Sequence, residues 1–141
     1  MQFDGRSAKI MVVDNDRTTL EMVQIRLEVA GYHALPVRDA ETALEMLTTS
    51  RPHAMILERN LPLMDGIGLL EAFAALPGSR PLPVLLVGRA LAAEDVRRGV
   101  QLGVRDCLAK PFSGAVVLER LGRMLKKAAP PPPPGRSVVY V

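Results

Sequence analysis

The sequence predicts an α/β fold in which five parallel strands alternate with five helices. Short aliphatic runs recur along the 141 residues, and longer stretches with the apolar period of a helix separate them. This alternation is typical of βαβ units, whose strands pair in parallel between covering helices. The length suits one domain with a single core.

The first strand and helix are predicted at 9–13 and 17–30. The strand is an aliphatic run that ends on polar residues, and the helix carries one apolar stripe. Thr18 and Glu21 have the spacing of a capping box, in which each side chain bonds the other's backbone N–H. The stripe and the glycine that ends the helix are Leu20, Val23, Leu27 and Gly31.

Cap and turn residues set the limits of the later elements. Asp39 belongs to the residue types that cap helix amino termini well. The pair Pro77-Gly78 and the single Gly103 are helix-ending signals. Strands are therefore predicted at 32–36, 54–57, 84–87 and 106–109, and helices at 39–49, 66–76, 92–101 and 113–127.

Crossover handedness then fixes the topology of the sheet. Right-handed βαβ connections on five parallel strands give the flavodoxin-like (βα)5 doubly wound arrangement, with strand order 2-1-3-4-5. In such sheets the site lies outside the carboxyl ends of strands one and three, where the strand order switches. Asp14 follows strand one and Glu58 follows strand three, so we expect their carboxylates to meet.

The polar residues at these strand ends resemble a known pocket. Asp14-Asn15-Asp16 follows strand one, Glu58 opens the loop 59–66, and Lys110-Pro111-Phe112 follows strand five. Together they are similar to the phosphoacceptor pocket of bacterial response-regulator receiver domains, which act in two-component signalling. The resemblance covers residues 7–127.

The resemblance implies a role for each matching residue. Receivers hold a divalent cation with an acidic pair after strand one and phosphorylate an aspartate after strand three. In this chain the pair becomes Asp14 and Asn15, and the phosphoacceptor position is Glu58. The pocket lysine is Lys110, whose bond to Pro111 is commonly cis in the family. The remaining pocket-loop positions are Asn60, Pro62, Asp65 and Gly66.

Two substitutions weaken the expected chemistry of the pocket. Asn15 offers a neutral amide oxygen where Mg²⁺ prefers an anionic one. Glu58 has one methylene more than aspartate, which moves its carboxylate by about 1.5 Å and spoils metal geometry and in-line attack. We therefore expect weak or absent Mg²⁺ binding and no other cofactor.

The positions that report phosphorylation in the family also differ here. The hydroxyl residue after strand four is replaced by Gly88, and the aromatic residue of strand five is replaced by Cys107. Arg89 stands where receivers tend to have a small residue. With no phosphoryl group present, Lys110 is expected to pair directly with Glu58 or Asp14. Arg59, next to Glu58, is expected to be a solvent-exposed loop residue rather than a partner of Glu58.

The leading hypothesis is an atypical receiver that is not an enzyme and works through protein contacts without phosphorylation. Its partner would be a histidine kinase or another signalling protein, or a second copy of the chain. Receivers commonly use the face formed by helix four, strand five and helix five. Here that face carries Arg97, Arg98, Arg105, Arg120 and Arg123, which suits an acidic partner.

Two alternatives stay open. Glu58 could still accept a phosphoryl group in a Mg²⁺-dependent reaction, or it could mimic the phosphorylated state. The chain could also be the regulatory half of a DNA-binding response regulator, with residues 128–141 as a Pro-rich linker and a short apolar tail.

Composition disfavours several other classes of protein. No apolar stretch approaches the roughly 20 residues of a membrane span. The amino-terminal residues lack the apolar core of a signal peptide, and one cysteine cannot form an internal disulfide, so we expect a cytoplasmic protein. A net charge of +3 with 4% aromatic residues makes direct nucleic-acid binding an unfavoured reading.

Overall fold

Strands and helices alternate along the chain in the computed structural model, which describes residues 8–128. Of the predicted Pro-rich linker and apolar tail at 128–141, Ala128 ends a helix and the rest lies outside the described residues. The strands are β1 (Lys9–Val13), β2 (His33–Val37), β3 (Ala54–Glu58), β4 (Val84–Gly88) and β5 (Val104–Ala109). The helices are α1 (Arg17–Val29), α2 (Ala40–Ser50), α3 (Gly66–Ala74), α4 (Ala93–Gln101) and α5 (Gly114–Ala128).

All five strands pair in parallel in the order β2-β1-β3-β4-β5, which confirms the flavodoxin-like prediction. The register places Val13 beside Leu57, so β1 and β3 end together at the same edge of the sheet. On the other side of β3, Glu58 is level with Val87 of β4. The last residues of the three central strands therefore converge on one small region.

Two apolar layers cover the sheet. Helices α1 and α5 pack on one face, and α2, α3 and the region around α4 pack on the other. Alternate residues of each central strand point into opposite layers, so Ile56 joins the first and Leu57 joins the second. Because these strands are buried on both faces, they appear in the sequence as continuous apolar runs.

The start of α1 differs from the capping-box prediction. Asp16 is the amino-terminal cap and the helix begins at Arg17, so Thr18 already lies inside the first turn and cannot be the cap. Glu21 instead accepts a hydrogen bond from Arg17 Nε at 3.3 Å. At α2 the prediction is confirmed, because Asp39 Oδ1 accepts the Thr42 backbone N–H at 2.7 Å. Within the described range, every helix is too short or too polar to span a lipid bilayer.

Candidate functional site

Two acidic side chains are buried at the carboxyl edge of the sheet. Asp14 follows β1 and is 2% exposed, and Glu58 ends β3 and is 5% exposed. Across residues 8–126 these are the only charged or polar residues that are buried. A buried carboxylate is costly without a cation or hydrogen-bond donors, so each needs partners.

Lys110 supplies the cation for both carboxylates. It follows β5, and its Nζ lies 2.7 Å from Asp14 Oδ2 and 2.5 Å from Glu58 Oε1. Its side chain is 8% exposed, and its backbone N–H donates to the Gly88 carbonyl at 3.0 Å. The following peptide bond, to Pro111, is cis as expected. The direct pairing of Lys110 with the two carboxylates is therefore present in the structure.

Backbone donors occupy the remaining carboxylate oxygens. Asp14 Oδ1 accepts the Asp16 N–H at 2.9 Å, and Glu58 Oε2 accepts the Asn60 N–H at 2.7 Å. Every buried side-chain nitrogen and oxygen in the described part of the chain has a hydrogen-bond partner. The cluster formed by Asp14, Glu58 and Lys110, which we call the carboxylate–lysine cluster, is thus internally satisfied.

The pKa shifts of Asp14 and Lys110 follow from burial and from the hydrogen bonds within the cluster. Burial raises the pKa of Asp14, and the hydrogen bonds from Lys110 and the Asp16 N–H offset only part of that effect. Burial alone would lower the pKa of Lys110, but the hydrogen bonds to Asp14 and Glu58 outweigh it and raise that pKa. Lys110 is therefore held firmly in its charged form.

The carboxylate oxygens of the cluster are not arranged as ligands for a resident Mg²⁺ ion. Receivers hold this ion between the residues after strands one and three, but here Asp14 and Glu58 each give one oxygen to Lys110 and the other to a backbone N–H. Asn15 is exposed and contributes no charge. Within residues 8–128 no three His, Cys, Asp or Glu side chains are grouped as metal ligands.

Gly88 leaves space that the longer Glu58 side chain uses. A Cβ atom at Gly88 would lie 3.4 Å from Glu58 Oε2, 3.5 Å from Arg59 Cβ and 2.9 Å from Leu91 Cδ2. The glycine is buried at the end of β4, and Glu58 and Leu91 flank it in the wall of a cleft at this edge of the sheet. The absence of a side chain at position 88 and the extra methylene at position 58 are therefore sterically complementary.

This complementarity predicts that Gly88→Thr destabilises the protein by about 1–3 kcal/mol, because it overpacks the contact with Glu58 and Leu91. The cost should fall by roughly 1 kcal/mol when Glu58→Asp is made in the same chain. Urea unfolding of the two single variants and the double variant measures the coupling. Gly122→Thr is the control, because a Cβ there meets no atom within 4 Å. Strict additivity at positions 58 and 88 would contradict the prediction.

A cleft of about 480 Å³ opens above the carboxylate–lysine cluster. The residues that line it include Asn15, Asn60, Gly88 and Arg89, and Arg89 is exposed at its rim.

Two predicted pocket-loop residues, Pro62 and Asp65, do not line the cleft. Pro62 is exposed away from it, and Asp65 caps α3 by accepting the Gly68 N–H at 2.8 Å. Cys107 is also outside the cleft: it packs half-buried against the α2–α3 layer, and burial raises the pKa of its thiol.

The expectation that Arg59 is solvent-exposed is wrong, because its side chain is only 33% exposed, but its hydrogen bonds go to Asp95 and not to Glu58. Its Nε and Nη2 lie 3.0 and 3.2 Å from the two carboxylate oxygens of Asp95 in α4. This hydrogen-bonded pairing raises the pKa of Arg59. No sequence signal joins the two residues, because 36 positions separate them.

Residues 10–122 match the sequence profile of the response regulator receiver domain. The chain belongs to this family. Its relatives include the transcriptional regulatory protein PrrA of Mycobacterium tuberculosis, at 29% identity over 121 residues, and the response regulator MprA of Mycobacterium ulcerans, at 31% over 121 residues. Both alignments cover 86% of this receiver and 51% of the relative. The chain thus spans about half the length of the curated relatives it matches.

Solved receiver structures share the fold. The chemotaxis response regulator CheY4 of Vibrio cholerae superposes with a TM-score of 0.77 at 27% identity, covering 84% of this receiver and 98% of CheY4. The receiver domain of a signal transduction histidine kinase from Syntrophus aciditrophicus gives 0.76 at 27% identity, covering 95% and 98%. The family assignment agrees with the positions of Asp14, Glu58 and Lys110 at the edge of the sheet.

Proposed function

We propose that this receiver is a phosphorylation-independent protein-interaction module and not an enzyme. The observation that carries the proposal is the state of Glu58, whose two carboxylate oxygens are held by Lys110 Nζ and the Asn60 N–H. A group attacking phosphorus needs a free, well-aligned oxygen and a metal to shield the phosphoryl charge. The carboxylate–lysine cluster meets neither requirement, because both Glu58 oxygens already accept hydrogen bonds within the protein.

Loss of the reporting residues supports the same proposal. In a switching receiver a hydroxyl after β4 follows the phosphoryl group, and an aromatic residue of β5 follows the hydroxyl. Gly88 has no side chain, and Cys107 lies outside the cleft. Even if Glu58 were phosphorylated, these two positions would therefore offer no side chain to transmit the change to the face formed by α4, β5 and α5.

The proposed contact surface is the face of α4, β5 and α5. Two of its five arginines are engaged within the protein, since Arg98 pairs with Glu71 and Arg120 pairs with Asp106. The other three, Arg97, Arg105 and Arg123, are exposed. An acidic surface on a histidine kinase, on another signalling protein or on a second copy of the chain would complement them.

A second candidate function follows from the named relatives. PrrA is a transcriptional regulatory protein, and the alignment covers 51% of it. We propose as the alternative that this receiver is the regulatory part of such a regulator. Gel-filtration mass and promoter-DNA binding of the native gene product would test this possibility separately from the chemistry at Glu58.

The test of the main proposal is treatment with Mg²⁺ together with beryllofluoride or acetyl phosphate. We expect no change in the amide resonances of Gly88 and Lys110 and no mass gain at Glu58, because its oxygens are occupied. Heteronuclear NMR and intact-mass spectrometry make the two measurements. A mass gain of one phosphoryl group mapped to Glu58 would overturn the proposal.

A further inference from the structure

Helix α4 is held to the protein by few apolar contacts. Of its nine residues only Gly99 is buried, whereas α1 buries Leu20, Val23 and Leu27. Val100 of α4 is 60% exposed. A Cβ at Gly99 would lie 2.8 Å from Val104 Cγ2, so the helix approaches β5 closely at this point without burying a large side chain.

Polar contacts are therefore important in fixing the start of α4. Asp95 lies in its first turn and receives both hydrogen bonds from Arg59, at 3.0 and 3.2 Å. The side chains are 33% and 17% exposed, so the pair is only partly screened by water. A bidentate arginine–carboxylate pair also fixes relative orientation, which a single contact does not.

Arg59 is itself anchored at the end of β3. Its backbone N–H donates to the Val87 carbonyl at 2.8 Å, and its own carbonyl accepts the Gly66 N–H at 2.9 Å. Gly66 is packed so closely that a Cβ there would lie 2.6 Å from the Glu58 carbonyl oxygen. The residue next to Glu58 is thus a fixed point from which the guanidinium group reaches α4.

We propose that Arg59 is a positioning residue that ties α4 directly to the carboxyl end of β3. This route bypasses Gly88 and Cys107, the two positions that join the pocket to this face in the family. It rests on the proposed function in one respect only: that the face containing α4 is the surface presented to a partner. Arg59 then holds that face in one arrangement without any phosphoryl group.

The exposed ion pair of α4 is weaker by comparison. Arg98 bonds a single oxygen of Glu71, through Nε at 3.0 Å and Nη2 at 2.9 Å, and the side chains are 45% and 49% exposed. Such solvated pairs contribute little. The amino-terminal turn of α4 should therefore depend on Arg59 more than its second turn depends on Arg98.

Amide hydrogen exchange of α4 in the partner-free protein, without Mg²⁺ or phosphodonor, tests the tether. Asp95→Asn and Arg59→Gln should each raise exchange at the start of α4 by roughly 5-fold. Glu94→Gln is the matched control, since Glu94 is also acidic and in the first turn but is exposed. It removes the same favourable interaction with the helix dipole. We expect less than about a 2-fold change for it.

Two further readouts separate a specific tether from general loosening. The Arg59 Nε–H resonance should be protected from exchange in the wild type and lose protection in Asp95→Asn. The double variant Arg59→Gln/Asp95→Asn should exchange no faster than either single variant, because one interaction is removed in all three. Arg59→Lys, which keeps the charge but not the fork, should give partial protection.

Equal exchange in Asp95→Asn and Glu94→Gln, or additive effects in the double variant, would overturn the tether and leave the proposed function untouched. Conversely, a response to beryllofluoride would overturn the proposed function while the exchange results for Arg59 and Asp95 still stand.

Discussion

Lys110→Met is expected to lower the free energy of unfolding by about 3–5 kcal/mol, because it leaves buried charges without their cation. Asp14 and Glu58 are 2% and 5% exposed, and both bond Lys110 Nζ. Methionine has nearly the same shape, so packing is conserved and the loss reports on charge. Urea unfolding at neutral pH measures it. Lys126→Met, at an exposed position of α5, is the control and should be close to neutral.

The pH dependence of the free energy of unfolding tests the same role of Lys110 independently. The pKa of Lys110 is raised above its ordinary value of 10.5, so its stabilisation is present below that value and is lost as pH rises through the raised pKa. Asp14 also has a raised pKa, so its contribution is fully present below 3.8 and is lost as pH rises through its folded pKa. In Lys110→Met the Asp14 carboxylate loses the hydrogen bond that offsets part of its burial, so stability should increase more steeply on acidification than in the wild type. A variant as stable as wild type at neutral pH would contradict this account.

The fold could be predicted because its signals are local. Continuous apolar runs mark the buried strands, and helix stripes such as Leu20, Val23 and Leu27 face the sheet as expected. The start of β5 was predicted two residues late. Arg105 and Asp106 do not look like strand residues, yet Val104 pairs with Val84 across an irregular register. An edge strand tolerates such charges because one side of it is unpaired.

The meeting of Asp14 and Glu58 could be expected from the parallel topology, which brings the carboxyl ends of β1 and β3 to one edge. The place of Lys110 beside them was implied by the resemblance to receiver domains. The apolar periodicity of the sequence does not predict which partner each exposed or half-buried side chain contacts. The reach of Arg59 to Asp95 depends on the path of the loop before α4. The role of Asp65 depends on where α3 begins, since the same residue can face a pocket or cap a helix.

Restoring two aspartates should create a measurable Mg²⁺ site. In Asn15→Asp/Glu58→Asp the pocket gains one negative charge, and the shortened side chain at position 58 withdraws from the Asn60 N–H that now holds Glu58 Oε2. Position 15 is exposed and lines the cleft, so a new carboxylate there needs no burial. Mg²⁺ affinity should rise at least about 10-fold over wild type, because Mg²⁺ takes anionic oxygens in preference to amides.

Titration of Mg²⁺ followed by the amide resonances near Asp14 measures the gain. Adding Asp14→Asn to the double variant is the control and should remove it, since one carboxylate is lost again. Sub-millimolar Mg²⁺ binding by the wild type would contradict the expectation that Asn15 and Glu58 make the pocket a poor Mg²⁺ site. The double variant should still differ from a switching receiver, because position 88 has no hydroxyl to follow a phosphoryl group and Arg59 continues to hold α4 through Asp95. Metal binding and signal propagation are therefore expected to separate in this protein. Two substitutions should create a Mg²⁺ site, while propagation of a signal also requires changes at positions 88, 107 and 59.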